Sequence, residues 1–302
     1  MKNAQISRAR SFLLCAVGYA AAAVAGVAVA RLAGLSRPIL AAAAGDIAAT
    51  IVVFAFSLAF DNSSMYDPYW SVAPVPLAFY WLVSFGDGLS ARRVVLLALV
   101  LLWASRLTFN WVRRWKGLAD EDFRYADYRR MGALYWPISF LGFHFFPTVI
   151  VFLGCLSLVP ALGAGVRSVG VLDLLAAAVT LAAIGVETGA DRQLRRFLTS
   201  PRAPGQTLDS GLWSLSRHPN YFGEVLFWWG VYLFGLAANP GWWWTIIGPI
   251  AITGLFLGIS VPMMDKRMLS RHPGYAAQMA TKSRFIPWPS QRRAERSSTE
   301  DT

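Results

Sequence analysis

Apolar stretches of about 20 residues are what a helix needs to cross the hydrocarbon core of a bilayer, and this sequence is built from a succession of them. Eight candidate spans are read at residues 12–30, 39–60, 70–86, 93–110, 134–160, 169–188, 220–238 and 241–262. The composition agrees. Of the 302 residues 56% are hydrophobic and 15% charged, where a soluble domain carries about 25% charged residues. The fold class expected is an all-α integral membrane protein, a bundle of about seven to eight transmembrane helices. The third span is short and interrupted by Pro74 and Pro76, which reads as a broken or re-entrant segment. The last two are joined only by Ala238-Asn239-Pro240-Gly241, a tight helical hairpin. The first is not read as a signal peptide, because further spans follow it and no small-residue cleavage site does.

The net charge of +11 invites a nucleic-acid reading, and its distribution argues against one. With eight spans and the N-terminus inside, 22 of the 28 Lys and Arg residues fall in inside segments and five in outside loops, with Arg106 near a span end. The positive-inside rule then puts both termini in the cytoplasm of a membrane such as the bacterial inner membrane. Most of these charges read as topology signals and contacts with anionic lipid headgroups. The tail at 291–302, with RRAER at 292–296, reads as disordered. Cys15 and Cys155 sit alone in apolar spans; they read as buried small hydrophobes, and no metal site is expected.

Four polar connections, at 61–70, 110–133, 189–219 and from 265 onward, fall on the same predicted face, and the stretches in and beside them carry the chemistry. DNSSMYDPYW (61–70) has two acids, Asp61 and Asp67, and no base; Asp61, Asn62 and Ser63 equally read as helix caps. In RLTFNWVRRWKGLADEDFRYADYRR (106–130), Arg106, Asn110, Arg113 and Arg114 recur at three- to four-residue intervals, a polar stripe where span four leaves the membrane. Guanidinium groups suit phosphate. The EDFRYADYRR part also reads as a surface helix with internal salt bridges. VETGADRQLRRF (186–197) puts Glu187, Asp191 and Arg195 on one helix face, and a carboxylate in a span is a functional-site candidate. An Asp191–Arg195 salt bridge is the plainer alternative.

In SRHPNYFGE (216–224), Pro219 suits the first turn of a helix, whose N-terminus favours phosphate. Arg217 and His218 precede it; Asn220, Tyr221 and Glu224 lie in its first two turns, Asn220 and Glu224 sharing a face. An interfacial belt of His and Tyr is the alternative. No Walker or GxGxxG pattern is present, so a nucleotide site has to be built from helices and loops. The segment 263–289, with Asp265, Arg267, Arg271, Tyr275 and FIPWP, has enough apolar anchors to be expected to fold back on the same mouth.

Together, GADRQLRRF, SRHPNYFGE with its aromatic span, and HPGYAAQMATKSRFIPWP resemble the steroid 5-alpha-reductase C-terminal family, and more narrowly a bacterial branch of uncharacterised membrane proteins. DNSSMYDPYW and RLTFNWVRRW-to-EDFRY are similar to that branch too. The resemblance covers roughly residues 40–290, so residues 1–38 read as a span peripheral to a membrane domain at 39–290. It implies about seven spans and an NADPH cavity near the cytosol, closed by the C-terminal tail. It also implies hydride transfer to the double bond of a lipophilic enone that enters from the bilayer. By this resemblance Glu187, Asp191, Arg195, Arg217, His218, Asn220, Tyr221 and Glu224 are cofactor ligands. Arg106, Asn110 and Arg114 serve the phosphate or adenosine end, and Arg271 and Tyr275 close over the cofactor. Asp67 matches the carboxylate that grips the carbonyl. The paired tyrosine, three residues before Arg106, is Trp103 here; Tyr66 or Tyr69 stands in. The RHPNY element also occurs in isoprenylcysteine carboxyl methyltransferases, so an S-adenosylmethionine-dependent methyltransferase is the second reading. A non-enzymatic membrane scaffold or transporter is the third.

Overall fold

A computed structural model describes residues 6–85, 88–203 and 205–288. The basic tail at 291–302 and Pro289 lie outside the described residues. The chain forms two compact units, Met1–Val166 and Arg167–Thr302.

The first unit holds α1 (Arg8–Leu32), α2 (Pro38–Ala59), α3 (Tyr69–Val72), α4 (Pro74–Ser84), α5 (Ala91–Arg114) and α6 (Arg129–Cys155). The second holds α7 (Val171–Thr199), α8 (Pro219–Ala238), α9 (Pro240–Arg271) and α10 (Tyr275–Thr281). Among the described residues, α1, α2, α5, α6, α7, α8 and α9 are seven helices long and apolar enough to cross a membrane, and the all-helical expectation holds. Their starts follow the local sequence. The Ser7 and Ser90 hydroxyls accept from the amides of Arg10 and Arg93, and Asp173 accepts from the Gly170 amide ahead of α7. Pro38, Pro219 and Pro240 occupy first-turn positions, where the missing N–H costs nothing. Asn239 separates α8 from α9 and caps the latter through the Gly241 amide, which makes the expected hairpin.

The third span is broken at Ala73–Pro74 into α3 and α4. Just before α3, Asn62 donates to the carbonyls of Leu118 and Asp120, beyond the C-terminal end of α5. Just after α4, Phe85 packs on Gly163, whose carbonyl accepts from Arg93 near the N-terminal start of α5. α3–α4 therefore runs antiparallel to α5 over the height of the unit.

Helix α1 packs tightly into the first unit. A Cβ placed on Gly45 of α2 would stand 2.7 Å from the Gly26 carbonyl of α1, the close backbone approach that small residues permit between helices in lipid. Phe12 meets Trp111 and Trp115 edge-on, and Arg8 donates to the carbonyls of Val112 and Trp115. Asp46 faces α3, where the Tyr69 phenol donates to its carboxylate at 2.6 Å. Cys15 and Cys155 are both buried and free, as their apolar surroundings predict.

In the second unit α7 and α8 pack face to face at two glycines of α8. Gly223 lies against Glu187 and Ala183, and Gly230 against Thr180.

Candidate functional site

Each unit gathers two of the four polar segments. In the first unit, the 61–68 loop and the stretch after α5 are interlocked. The Asn62 side chain accepts from the Ser64 amide while donating across to Leu118 and Asp120, so the capping reading of that residue holds. The Ser63 amide donates to Glu121, and the Asp122 amide to the Ser64 hydroxyl. Arg129 grips Glu121 through two nitrogens, at 2.9 and 2.8 Å, pairs with Asp61, and stacks over Tyr135 and Trp136.

Asp67 sits inside this interlock. Its Oδ1 accepts from the Tyr125 phenol at 2.6 Å and from Arg124 Nη2 at 3.2 Å. Burial pushes the carboxyl up to about 6, against the opposing pull of the Arg124 charge and the Tyr125 hydrogen bond. Burial, with the Asp67 charge behind it, raises Tyr125 as well. The sequence looked for the phenol beside Asp67 at Tyr66 or Tyr69; the phenol that bonds Asp67 is that of Tyr125. Trp103 is fully buried. The Tyr66 hydroxyl bonds Thr148, its ring stacks on Tyr69, and burial raises its pKa. Of the stripe on α5, Arg106 and Asn110 are half-buried and Arg114 is exposed, its Nε donating to the Asn110 carbonyl.

In the second unit, the 200–218 connection and the C-terminal segment are interlocked in the same manner. The Arg217 amide donates to the Ser283 carbonyl in an isolated parallel bridge, and the Ser216 hydroxyl donates to the Phe285 carbonyl. Lys282 pairs with Asp209, and Gln278 bonds Thr207. The tail folds back on the start of α8, as its aromatic anchors suggest; Phe285 meets Phe222 edge-on.

The centre of this mouth is Asp265. Its Oδ2 accepts from Arg217 Nη1 at 2.8 Å, and its Oδ1 from His218 Nε2 at 2.8 Å and from the Tyr275 phenol at 2.7 Å. Arg217, His218, Asp265 and Tyr275 are all buried. Burial and the hydrogen bond to the carboxylate raise Tyr275. The His218 ring stacks on Tyr221, which meets Phe256 edge-on. Two side chains at this mouth keep donors without a partner among the described residues. Arg217 Nε is buried and has no partner, and the half-buried Asn220 has no side-chain hydrogen bond among the described residues. A buried donor without an acceptor costs about 1–3 kcal/mol, and an anionic oxygen would recover it. Glu187 and Glu224 are buried on the facing helices α7 and α8, and Trp228 donates to Glu224 at 2.9 Å. Asp191 is half-buried; Arg195 and Arg271 are exposed.

Of the predicted ligands, the structure thus unites Arg217, His218 and Tyr275 through Asp265, with Tyr221 stacked beside them. The sequence counts Asp265 only as one polar residue of the tail. Its position after Val261-Pro262-Met263-Met264, at the end of an apolar run, is the signal that marks it, since an acid there requires a partner. No group of three or more His, Cys, Asp or Glu residues among the described residues could hold a metal ion.

The sequence family described as "Protein of unknown function (DUF1295)" matches residues 53–281, well over half of the chain. The chain belongs to the DUF1295 family. Both interlocked mouths lie largely within the DUF1295 match, whereas α1 and the first turns of α2 precede it. The uncharacterized protein C594.04c of Schizosaccharomyces pombe is 26% identical over 261 residues, which cover 78% of this chain and 76% of that protein. No solved structure matches this DUF1295 chain.

Proposed function

We propose that this protein is an NADPH-dependent membrane reductase that saturates a carbon–carbon double bond conjugated to a carbonyl in a lipophilic substrate from the bilayer. The observation that carries the reading is the α8 mouth, where Arg217 Nε is buried without a partner beside His218, Asn220 and the first turn of a 20-residue helix. Those donors suit the phosphate and sugar oxygens of a dinucleotide. The motif resemblance supplies the choice of NADPH.

Arg217, His218, Asn220, Tyr221, Glu224 and Tyr275 would hold the cofactor, with Glu187, Asp191, Arg195 and Arg271 beside it. NADPH, when bound, supplies the hydride. In the first unit the candidate acid is Asp67, paired with Tyr125. Asp67, held up to about 6, retains a proton in part of the population near neutrality. In that form it donates a hydrogen bond to a carbonyl oxygen and so polarises the conjugated double bond. The basic-residue distribution supports a cytoplasmic side for this chemistry.

The test is the thermal stability of the detergent-purified protein with NADPH, NADH and S-adenosylmethionine. A ligand at 100 times its dissociation constant stabilises by about 2.7 kcal/mol. The expected result is a shift with NADPH that Asn220→Ala and Glu224→Ala abolish. A shift with S-adenosylmethionine alone would move the protein to the methyltransferases, and no shift with any of them would favour a scaffold.

A further inference from the structure

Three donors converge on the one carboxylate of Asp265, and what they leave unused defines a ligand. A carboxylate only accepts, so the 2.8 Å bond to His218 Nε2 puts a proton on that nitrogen. In the neutral ring Nδ1 is then an acceptor. Arg217 spends Nη1 on Asp265 and keeps Nε as a buried donor without a partner. The two residues are adjacent in the chain, and both are more than nine-tenths buried. They stand at the entry to α8, whose first-turn amides add a partial positive charge. A ligand that satisfies both offers an anionic oxygen to Arg217 Nε and a hydroxyl hydrogen to His218 Nδ1. A phosphate next to a sugar hydroxyl has that pattern.

We infer that Asp265 is the positioning residue of this mouth: it sets the His218 tautomer and the Arg217 orientation that together read a sugar-phosphate. The inference rests on the reductase reading, where the sugar-phosphate is one of the two in NADPH. Asp265 itself does not touch the ligand. Its carboxylate is filled by Arg217, His218 and Tyr275, and its role is to hold their remaining atoms in place.

The experiment has two readouts on the full-length protein in detergent. The first is nitrogen NMR of protein labelled at its three histidines, with His218→Gln identifying the signal. The expected spectrum has a protonated Nε2 and a bare Nδ1, and Asp265→Asn is expected to abolish that pattern. A doubly protonated or Nδ1-protonated ring in the wild type overturns the inference. The second is binding, measured by thermal shift with NADPH, reduced nicotinamide mononucleotide and adenosine 2′,5′-bisphosphate. Asp265→Asn is expected to weaken NADPH by tenfold or more, and the two fragments tell which sugar-phosphate occupies the site. Unchanged NADPH affinity in Asp265→Asn overturns the inference and leaves the reductase reading standing. A fragment that binds while NADPH does not overturns the reductase reading and leaves the sugar-phosphate site. No response to any of the three overturns both.

Asp265→Asn leaves Arg217 buried without its counter-charge and so can fail to fold. Arg217→Lys then carries the test. A lysine keeps a charge for Asp265 and removes Nε. A tenfold loss of NADPH affinity with the His218 tautomer retained is expected; wild-type affinity overturns the role of Nε.

Discussion

Gly223 of α8 lies directly against Glu187 of α7. A Cβ built on the glycine would stand 2.7 Å from the Glu187 Cβ and 2.8 Å from the Glu187 backbone nitrogen. Neither atom is the far end of a flexible side chain, so the clash has no cheap relief. Gly223→Ala is therefore expected to destabilise the protein by about 1–3 kcal/mol, the range for overpacking a tight contact. It also moves Glu187 relative to Glu224. Unfolding in detergent measures the first effect, and an NADPH thermal shift the second. Wild-type behaviour in both assays would mean that the helices can separate there without consequence.

Gly45→Val makes the same test on α1. Its Cβ position is 2.7 Å from the Gly26 carbonyl, so the substitution pushes α1 off α2 at an expected cost of about 1–3 kcal/mol. Accelerated proteolysis near the start of α1 is the readout. Unchanged protease resistance would show that α1 is held by its Arg8 and Phe12 contacts alone.

Asp67 gives a pH dependence whose sign is set by the direction of its shift. Burial raises the folded-state carboxyl from 3.8 to about 6. Between those values the folded state keeps a proton that the unfolded state has released, so stability from this group falls as pH rises through the interval. The full difference is about 3 kcal/mol. Asp67→Asn removes it: wild type minus variant is expected to decline from pH 4 to pH 6 and then level off. A flat difference would place the carboxyl at its ordinary value. The same variant is expected to lower turnover of an enone substrate while leaving the NADPH thermal shift intact.

Arg129 is expected to resist conservative replacement. It binds both oxygens of Glu121 and stacks over Tyr135 at 4.0 Å. A lysine keeps the charge but loses the fork and the planar stack. Arg129→Lys should cost about 1–3 kcal/mol and loosen the 61–68 loop, read as faster hydrogen exchange at Ser63 and Ser64. Exchange at the wild-type rate would show that Asn62 alone holds the loop.

The spans were legible because they are local. The free energy of placing an apolar run in lipid is summed residue by residue along the chain, so composition over about 20 residues suffices to find it. Capping by Asn62 and the Asn239–Pro240 hairpin were legible for the same reason: each acts on backbone within two residues of itself. Periodicity placed Glu187 and Asp191 on one face of α7. It also placed Asn220 and Glu224 on one face of α8.

What the tertiary structure alone decided is which polar groups meet. Asp67 finds Tyr125 58 residues away, and the sequence reading looked for its phenol at Tyr66 or Tyr69 because no local rule points further. Asp265 takes Arg217 and His218 from 48 and 47 residues away, and so turns three separately predicted ligands into one cluster with a fixed set of unused atoms. A polar side chain in an apolar setting must find a partner, and the sequence by itself states that need. Which partner satisfies it depends on how the helices bring distant loops together, and that is decided only when they pack.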